Sequence, residues 1–461
     1  MKNLDVHKLE VLDSEGGRQF VIPAEVKGFF TQKKRVVHSI LLLLFLALPW
    51  IRINGQQLLH LDIEHRRFFV FGLNLAAHDT PLIFLFLIIA TLGLAYVTAI
   101  WGRVWCGWAC PQTVFIEHVY RKIEQLIEGN HIARRALRDQ ALNLNKTAKL
   151  FAKWFLYVAV SSLIAHSLAA YFVGRDELLN MISAGPAQNS TYFILITGLT
   201  FLLVFNFGWF REQFCLIVCP YGRIQSLLMD PNSLTILYDD KRGEPRKGTT
   251  RGSQQQGDCV SCFRCVAVCP TRIDIRNGQQ MECIGCTACI DACDEIMQKV
   301  NKPKGLIRYD SLSRKHHSAL RGRPLIYMVG ILGAMGALLY LLTQRSSLDI
   351  TLLRAIETPY QVVQTDLGTE VINHFRLRVK NQWNEPIKAK VELDPQFGEL
   401  ILPQNAIELS PLELKTVHFF VKFQPEAKLA TENPATLSIQ NLTTSETPIK
   451  LNLELLKPDN F

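Results

Sequence analysis

Two short cysteine runs are the feature of this sequence with the clearest chemistry. The first has the spacing C-x2-C-x2-C-x3-C followed by proline, and a second run repeats the spacing after a gap of thirteen residues. This spacing wraps the backbone around an iron–sulfur cube, so that three thiolates reach one cluster and the fourth reaches the other. We therefore predict two [4Fe–4S] clusters. The predicted ligands are Cys259, Cys262, Cys265 and Cys293 for the first cluster, and Cys283, Cys286, Cys289 and Cys269 for the second.

Structural zinc is the alternative reading of these eight cysteines. Zinc modules usually separate two short cysteine pairs by a dozen or more residues, so the spacing favours iron–sulfur. The second run departs from the pattern because Asp294, and not proline, follows its last cysteine. We expect ligation to be unaffected and the backbone there to be less constrained. Two adjacent clusters would form a one-electron relay.

The other four of the twelve cysteines form two C-x3-C-P elements, each placed directly after an apolar stretch. They are Cys106 and Cys110 before Pro111, and Cys215 and Cys219 before Pro220. Proline suits the first turn of a helix, and the positive end of a helix eases ionisation of a cysteine just before it. Soft thiolates suit Cu(I), zinc or iron–sulfur, so these four are the candidate catalytic residues. Transient copper, another permanent centre and plain packing at a helix kink all stay open.

Haem is a further cofactor to weigh, because the sequence has 12 histidines. His38 and His166 lie in or beside apolar stretches, and His118 follows the first C-x3-C-P element. A bis-histidine haem needs two facing histidines, and no spaced pair indicates one. We predict no haem and keep His118 as a third type of ligand near Cys106 and Cys110.

Five apolar stretches would position these cysteines, since each is long enough to cross a bilayer, which takes about 20 residues. They are Val36–Ile53, Pro81–Trp101, Leu150–Val173, Thr191–Phe210 and Pro324–Thr343. The first is the weakest, because Pro49 interrupts it and Arg52 lies near its end. A signal peptide is disfavoured there, because the stretch begins deep in the chain and no small-residue cleavage site follows it.

The distribution of Lys and Arg predicts the orientation in the membrane. Residues 1–35, 102–149 and 211–323 hold seven, eight and eighteen of them, whereas residues 54–80 and 174–190 hold two and one. The basic side is expected to be cytoplasmic. The N-terminus and all twelve cysteines then lie on the cytoplasmic side or its rim, and the segment after the fifth span lies outside. The net charge of +9 follows from the same bias, and no motif predicts a nucleic-acid partner.

These patterns divide the chain into several domains. Alternating apolar and polar residues predict half-buried strands, and hence a β-sandwich, after the fifth span. The clearest strands are Val371–Lys380, Ala389–Leu393, Leu414–Lys422 and Ile449–Leu455. The predicted order is a cytoplasmic segment (1–35), four spans with both rim motifs (36–238), a flexible basic linker (239–257), a dicluster ferredoxin-like α+β domain (258–300), a cytoplasmic connector (301–323), a fifth span (324–343) and an all-β domain (344–461).

With these elements placed, the chain resembles the CcoG/FixG/RdxA family of cytochrome c oxidase accessory proteins over nearly its whole length. The matching motifs are Leu48-Pro-Trp-Ile-Arg-Ile-Asn-Gly55, Cys106-Gly-Trp-Ala-Cys-Pro-Gln-Thr113, Arg211-Glu-Gln213, Cys215-Leu-Ile-Val-Cys-Pro-Tyr221 and the two cysteine runs. The resemblance implies a bacterial inner-membrane protein with a periplasmic immunoglobulin-like C-terminal domain. It also implies reduction of Cu(II) to Cu(I) for copper delivery and assembly of cbb3-type cytochrome oxidase. The implied partners are copper ions, the bilayer, and oxidase assembly factors or a copper transporter or chaperone.

Two further hypotheses stand beside cupric reduction. NapH-type membrane ferredoxins share the C-x3-C-P pairs and pass electrons from quinol, which implies electron transfer to a protein partner. The other is a non-catalytic assembly scaffold, in which the β domain binds an oxidase subunit and the clusters serve stability or redox sensing. The electron donor, a quinol or a cytoplasmic reductant, is left open.

Overall fold

A computed structural model describes residues 20–456 of the chain, except 54, 65, 77–78, 248–256, 314–320, 356–359, 366–367, 384, 405, 412, 425–434 and 444–445. The chain divides into two compact units, Met1–Leu338 and Leu339–Phe461. The first unit contains all twelve cysteines, and the second contains none.

The described part of the chain is helical up to residue 343, with short strands between helices. The helices are α1 (Phe29–Ala47), α2 (Thr80–Trp101), α3 (Val104–Trp108), α4 (Pro111–Phe115), α5 (Arg121–Glu128), α6 (His131–Asp139), α7 (Leu144–Val173), α8 (Arg175–Ala184), α9 (Ser190–Leu203), α10 (Pro220–Leu228), α11 (Asp240–Gly243), α12 (Arg264–Ala267), α13 (Ala288–Lys299) and α14 (Gly322–Thr343). Wider π-helical turns occur at Ile116–Tyr120, Val204–Phe210 and Phe214–Val218.

Four described helices are long and apolar enough to cross a membrane, by length and composition. They are Thr80–Trp101, Leu144–Val173, Ser190–Phe210 and Gly322–Thr343. They contain the last four predicted spans. Helix α7 begins six residues before the predicted Leu150, because the Asn143 side chain caps it by accepting a hydrogen bond from the Lys146 N–H at 2.7 Å.

The predicted bounds of the first span, Val36–Ile53, are wrong. Helix α1 begins seven residues earlier and ends at Ala47, because Pro49 has no N–H to continue the helical hydrogen bonds. The chain then enters a two-stranded hairpin in which Arg52–Ile53 pairs with Gln56–Gln57. The membrane crossing of α1, and with it the number of five spans, stays a prediction.

Short strands in the first unit connect the helices and bracket the cysteine runs. They are β1 (Arg52–Ile53), β2 (Gln56–Gln57), β3 (Leu59–Asp62), β4 (Arg67–Val70), β5 (Leu73–Ala76), β6 (Thr235–Tyr238) and β7 (Ile307–Asp310). Strands β6 and β7 pair antiparallel, with β6 before the cysteine runs and β7 after them. Ile236 and Ile307 from this ribbon pack with Met297, Cys259 and Cys265 in one buried cluster.

The predicted linker 239–257 is structured at its start. Asp240–Gly243 forms the single turn of α11, and the Arg242 Nε donates to Asp258 Oδ2 at 2.5 Å. These contacts form because Arg242 faces an acidic partner at the start of the first cysteine run. Residues 248–256 lie outside the described residues.

The second unit is built from two antiparallel sheets around one core. Its strands are β8 (Leu348–Arg354), β9 (Tyr360–Thr365), β10 (Gly368–Asn381), β11 (Ile387–Leu393), β12 (Glu399–Ile401), β13 (Ala406–Leu409), β14 (Leu414–Phe423), β15 (Ala435–Asn441) and β16 (Ile449–Leu453). One sheet has the order β12-β14-β10-β8, with β9 also pairing with β10, and the other has the order β13-β11-β15-β16. Leu377 and Phe419 from the first sheet share a buried core with Leu437 from the second. The four predicted strands are confirmed, and the immunoglobulin-like assignment stays a prediction.

Candidate functional site

The two cysteine runs adopt the same backbone path. In each run, the residues just before and just after the second cysteine have left-handed φ angles. These are Ser261 (φ 55) and Phe263 (φ 53) in the first run, and Gly285 (φ 69) and Thr287 (φ 65) in the second. Left-handed residues reverse the chain locally, so each run curls around one point. A helix then begins directly after Phe263 or Thr287, with the third cysteine in its first turn.

Cys269 and Cys293, the fourth cysteines of the two runs, lie in different local structures because a different residue follows each of them. Cys269 precedes Pro270, and helix α12 has already ended at Ala267. Helix α13 instead continues through Cys293 to Lys299, because Asp294 permits helical backbone where proline would not. The Asp294 carboxylate also accepts a hydrogen bond from the Gly305 N–H at 2.8 Å. The expectation of a less constrained backbone at Asp294 is therefore wrong, since this position lies inside a regular helix.

Each predicted ligand set lines its own cavity. Cavity 1 is lined by Cys259, Cys262, Cys265 and Cys293. Cavity 2 is lined by Cys269, Cys283, Cys286 and Cys289, and Cys265 reaches it as well. Apolar side chains complete both walls, among them Met297 and Leu306 in cavity 1 and Ile236 and Ile284 in cavity 2. Four thiols around an apolar cavity are the donor set that a [4Fe–4S] cluster takes.

Burial raises the pKa of the six cavity thiols Cys265, Cys269, Cys283, Cys286, Cys289 and Cys293. It raises the pKa of Cys283 and Cys286 to about 11, and that of Cys265 and Cys293 to about 12. Metal ligation requires thiolates, so loading the cavities must release protons. In the described part of the chain, no three His, Cys, Asp or Glu side chains lie close enough to share a single ion.

The helices before the C-x3-C-P elements end in the same unusual turn. The residue after α2 is Gly102, with φ 55 and ψ −125, and the residue after the π-helical end of the next such span is Arg211, with φ 52 and ψ −127. Glycine adopts this conformation freely, whereas arginine is strained there by about 1–3 kcal/mol. Arg211 is held by its buried ion pair with Glu124 and by the hydrogen bond from its Nε to Gly208 O at 3.0 Å. The chain therefore presents both cysteine pairs by one repeated geometry.

Two amides fix the C-x3-C-P elements relative to each other. Gln112, directly after the first element, exchanges two hydrogen bonds with Asn206, at 3.1 and 2.9 Å. Gln112 Nε2 also donates to the Arg211 carbonyl at 3.1 Å. These contacts link the start of α4 to the turn that leads into the second element.

The four cysteines of the two elements, which we call the rim cysteines, converge. Cys106 lies in α3 and Cys215 in a π-helical turn, while Cys110 and Cys219 directly precede α4 and α10. Every one of the six pairs among the four thiols interacts electrostatically. Pro111 and Pro220 occupy the first helical positions, which confirms that prediction. The structure thus brings together thiols that are more than a hundred residues apart in the sequence.

The predicted ease of ionisation is wrong for Cys110, which directly precedes α4. Burial raises the pKa of Cys106 to about 11 and also raises the pKa of Cys110 and Cys215. The helix-start effect exists, since the backbone N–H groups of Gln112 and Thr113 point at Cys110 and lower its pKa, but burial outweighs it. Sequence spacing reveals the helix start and does not reveal the burial.

The rim cysteines lie directly beside cavity 2. Gly107, inside the first C-x3-C-P element, is packed so closely on Gly285 that an added Cβ would lie 2.3 Å from the Gly285 carbonyl oxygen. Arg103 donates to Cys283 O and to Gly222 O, each at 3.1 Å. The Arg103 guanidinium therefore contacts both the second cysteine run and the helix that follows the second C-x3-C-P element. Arg103 itself lies just before the first C-x3-C-P element in the sequence.

Helix α1 is joined to the same region by a buried charged pair. Lys34 Nζ lies 2.6 Å from Glu117 Oε2 and donates to the Cys286 carbonyl at 3.1 Å. His38 and His118 are also brought together, with ring centroids 6.1 Å apart at 86°. Sequence analysis singled out both histidines and did not pair them, because they lie on separate helices 80 positions apart. His166 lies elsewhere, against Tyr192.

The helix after the first C-x3-C-P element packs against the helical core. Apolar residues at helical spacing after this element predict an amphipathic helix along the membrane: Val114, Phe115, Val119, Ile123 and Leu126. In the structure, Val114 and Phe115 are buried, Val119 and Ile123 pack beside them, and Leu126 is 82% exposed. Most of these residues therefore pack inside the protein.

Models of three protein families match stretches of this chain. The family model of a 4Fe-4S dicluster domain matches residues 210–312, and that of a 4Fe-4S binding domain matches residues 83–130. A third, the IG-like fold at the C-terminus of FixG, matches residues 338–454. A crystal structure of a FixG-related protein from Vibrio parahaemolyticus aligns with 24% of this chain and all of that chain, at 14% identity and a TM-score of 0.18.

Three curated relatives are similar over much of the chain. Protein RdxA of Cereibacter sphaeroides is 36% identical over 398 residues, which are 82% of this chain and 83% of RdxA. Protein RdxB of the same organism is 37% identical over 388 residues, 80% of each chain. Nitrogen fixation protein FixG of Rhizobium meliloti is 35% identical over 307 residues, 64% of this chain and 58% of FixG.

The apolar helices, the two cysteine-lined cavities and the matched domains define a membrane-associated 4Fe–4S electron-transfer protein. Within that class, the chain belongs to the family of RdxA, RdxB and FixG, as its motifs predict.

Proposed function

We propose that this protein reduces Cu(II) to Cu(I) with electrons carried by two [4Fe–4S] clusters, and so supports copper delivery and assembly of a cbb3-type oxidase. The observation that carries the proposal is the close contact between the rim cysteines and cavity 2 at Gly107 and Gly285. The proposed ligands are Cys259, Cys262, Cys265 and Cys293 in cavity 1, and Cys269, Cys283, Cys286 and Cys289 in cavity 2.

The proposed order of the relay is cavity 1, cavity 2 and then the rim. Cys265 lines both cavities, so the two cavities adjoin. Cavity 2 is the one that contacts the rim, through Arg103 and the two glycines. The proposed path of electrons that enter at cavity 1 therefore runs through cavity 2 to the rim.

The chain's own residues hold the relay together. Arg103 ties the second cysteine run to the rim by donating to two backbone carbonyls. The apolar walls of the cavities limit solvent access, which is one of the means by which proteins tune cluster potentials. When bound, the clusters supply one-electron carriers.

Copper is the substrate of the proposed reaction. Each Cu(II) takes one electron and becomes Cu(I), and the electrons come from a quinol or a cytoplasmic reductant. A surface rich in sulfur favours the Cu(I) product, because soft ligands stabilise the softer ion. This preference supports placing the site of reduction at Cys106, Cys110, Cys215 and Cys219.

We also propose that the protein lies in the bacterial inner membrane, with the N-terminus and the cysteines on the cytoplasmic side and the C-terminal unit in the periplasm. The Lys and Arg distribution supports this orientation. Oxidase assembly factors, or a copper transporter or chaperone, are the proposed protein partners.

Stopped-flow kinetics on the full-length protein test the proposal. Anaerobically purified protein is reduced, freed of excess reductant and mixed with Cu(II) and a Cu(I)-specific chelator. We expect Cu(I) to appear as the cluster absorbance recovers, with one Cu(I) for each electron lost. The Cys106→Ser/Cys110→Ser variant is expected to keep the two cavity clusters and lose most of this rate, whereas Ser226→Ala, on α10, is expected to keep the rate.

Two outcomes would contradict the proposal. Full Cu(II) reduction by Cys106→Ser/Cys110→Ser protein with intact clusters would place the site elsewhere. Clusters that are reduced by a quinol and stay reduced when Cu(II) is added would favour electron transfer to a protein partner.

A further inference from the structure

We propose that the rim cysteines Cys106, Cys110, Cys215 and Cys219 together ligate a third [4Fe–4S] cluster. This inference deepens the proposed function, because it gives the exit of the relay a resident electron carrier. The four thiolates then hold the cluster, and Cu(II) is reduced at the surface beside it and is not bound by those thiolates. It rests on the proposed function only for that role. The site itself follows from the geometry of the four thiols and holds whether or not copper is the substrate.

The first C-x3-C-P element provides fewer cysteines than a [4Fe–4S] cluster needs. Residues 83–130 match a 4Fe-4S binding domain, yet this stretch has only two cysteines, Cys106 and Cys110. A [4Fe–4S] cluster takes four cysteine thiolates. Two more ligands must therefore come from elsewhere in the chain. The structure brings Cys215 and Cys219 to this position, and both lie outside the matched stretch.

The rim thiols interact with one another as the thiols of cavity 2 do. In cavity 2, each of the six pairs among Cys269, Cys283, Cys286 and Cys289 interacts electrostatically. All six pairs among the rim cysteines do the same. The four rim cysteines are half-buried and share one neighbourhood, because Cys106 contacts Gln225 of α10, the helix that begins directly after Cys219.

Hydrogen-bond donors are already in place around the rim thiols. The Gln225 side chain is fully buried, and Cys106 Sγ donates to its Oε1 at 3.5 Å. Two backbone N–H groups, of Gln112 and Thr113, point at the Cys110 sulfur. N–H groups directed at cluster sulfurs are a common feature of iron–sulfur sites and tune their potentials.

The repeated architecture explains why the site needs both halves of the helical region. Gly102 and Arg211 make the same turn at the ends of two spans, and each turn delivers one cysteine pair. Neither pair completes a four-thiolate set alone. The Gln112–Asn206 hydrogen bonds hold the two halves in register.

Iron and acid-labile sulfide analysis of the full-length protein tests this proposal. The protein is purified anaerobically and reconstituted with iron and sulfide, so that incomplete loading does not limit the count. We expect about twelve iron atoms and about twelve sulfides per chain, four of each for every cluster. The Cys106→Ala/Cys215→Ala variant leaves one thiol in each element and is expected to lose one third of both.

A matched variant separates the rim cluster from the cavity clusters. The Cys262→Ala substitution, in cavity 1, is expected to change the iron content. It is expected to retain the low-temperature EPR signals of the rim cluster, which the Cys106→Ala/Cys215→Ala variant loses. Size-exclusion chromatography and retention of the cavity-cluster EPR signals show that the rim variant is folded. If the rim variant does not fold, Cys219→Ala alone serves as the second test.

Three results would refute the third cluster. The first is about eight iron atoms per chain in the reconstituted wild-type protein, and the second is an iron content that the rim substitutions leave unchanged. The third is copper bound by the four rim cysteines in place of iron. Failure of Cu(II) reduction with a count of about twelve would refute the proposed substrate and leave the third cluster standing.

Discussion

Replacing Gly107 by alanine is the sharpest perturbation of the contact between the rim and cavity 2. The new Cβ would lie 2.3 Å from the Gly285 carbonyl oxygen, 2.6 Å from its carbonyl carbon and 3.0 Å from the Cys286 nitrogen, whereas ordinary contacts begin at 3.4 Å. All three neighbours are backbone atoms, so no side-chain rotation relieves the overlap. The two segments must separate by about 1 Å, and overpacking of this kind costs about 1–3 kcal/mol.

The consequence should appear in electron transfer more than in folding. Electron transfer slows as the distance between donor and acceptor grows, and this contact sets the distance between the rim and the second ligand set. We expect Gly107→Ala protein to retain the clusters of cavities 1 and 2 and to deliver electrons to Cu(II) severalfold more slowly. Stopped-flow mixing of reduced protein with Cu(II) measures this rate directly.

Gly93→Ala is the matched control, because a Cβ at Gly93 in α2 meets nothing within 4 Å. It should behave like the wild-type protein in both cluster content and rate. Wild-type rates in Gly107→Ala protein, with the same cluster content, would refute the reasoning that electrons pass from cavity 2 to the rim across this contact.

The remaining predictions concern the charged groups around the site. Arg103→Gln removes the hydrogen bonds of the guanidinium to the carbonyls of Met281, Cys283 and Gly222 and is expected to slow Cu(I) formation, measured by stopped flow. Arg223→Gln removes an exposed positive charge from the same rim and is expected to keep the rate, so equal slowing in both would point to charge alone. Glu124→Gln breaks a buried pair with Arg211 and is expected to lower the stability in detergent by about 3–5 kcal/mol, measured by thermal or denaturant unfolding; a loss below 1 kcal/mol would contradict the role of the pair. Burial would raise the pKa of Glu124, but Arg211, Arg134 and Tyr157 hold it at about 2, below its usual 4.5. The stabilisation that the Glu124 carboxylate provides is therefore complete above pH 4.5 and is lost as the pH falls toward 2. The difference in unfolding free energy between wild-type and Glu124→Gln protein should therefore narrow on acidification. A difference that stays constant from pH 7 to pH 3 would contradict this expectation.

Sequence patterns predict the parts of this protein that depend on local chemistry. The spacing of Cys259 to Cys269 and of Cys283 to Cys293 is enough to indicate which four thiols should share a cavity. Apolar length locates four spans, because a helix in lipid must be long and uncharged. Alternation along Val371–Lys380 reveals a strand, because the two sides of a sheet face different surroundings.

Features that depend on distant partners are beyond such patterns. The end of α1 at Ala47 is partly legible in Pro49, but the hairpin that follows depends on pairing between strands. The contacts of Arg103 with Cys283 bridge 180 positions, and nothing near Arg103 in the sequence points to them. The raised pKa of Cys106 arises from burial by segments far along the chain, which outweighs the local effect of the helix start.

The central claim is that eight cysteines hold two iron–sulfur clusters that exchange single electrons. Low-temperature EPR of the anaerobically purified, reduced protein, with metal and sulfide analysis of the same sample, tests it most directly. We predict acid-labile sulfide together with signals of reduced [4Fe–4S] clusters that broaden each other, since the two cavities share Cys265 in their walls. Zinc in place of iron, with no acid-labile sulfide and no such signal, would contradict the claim.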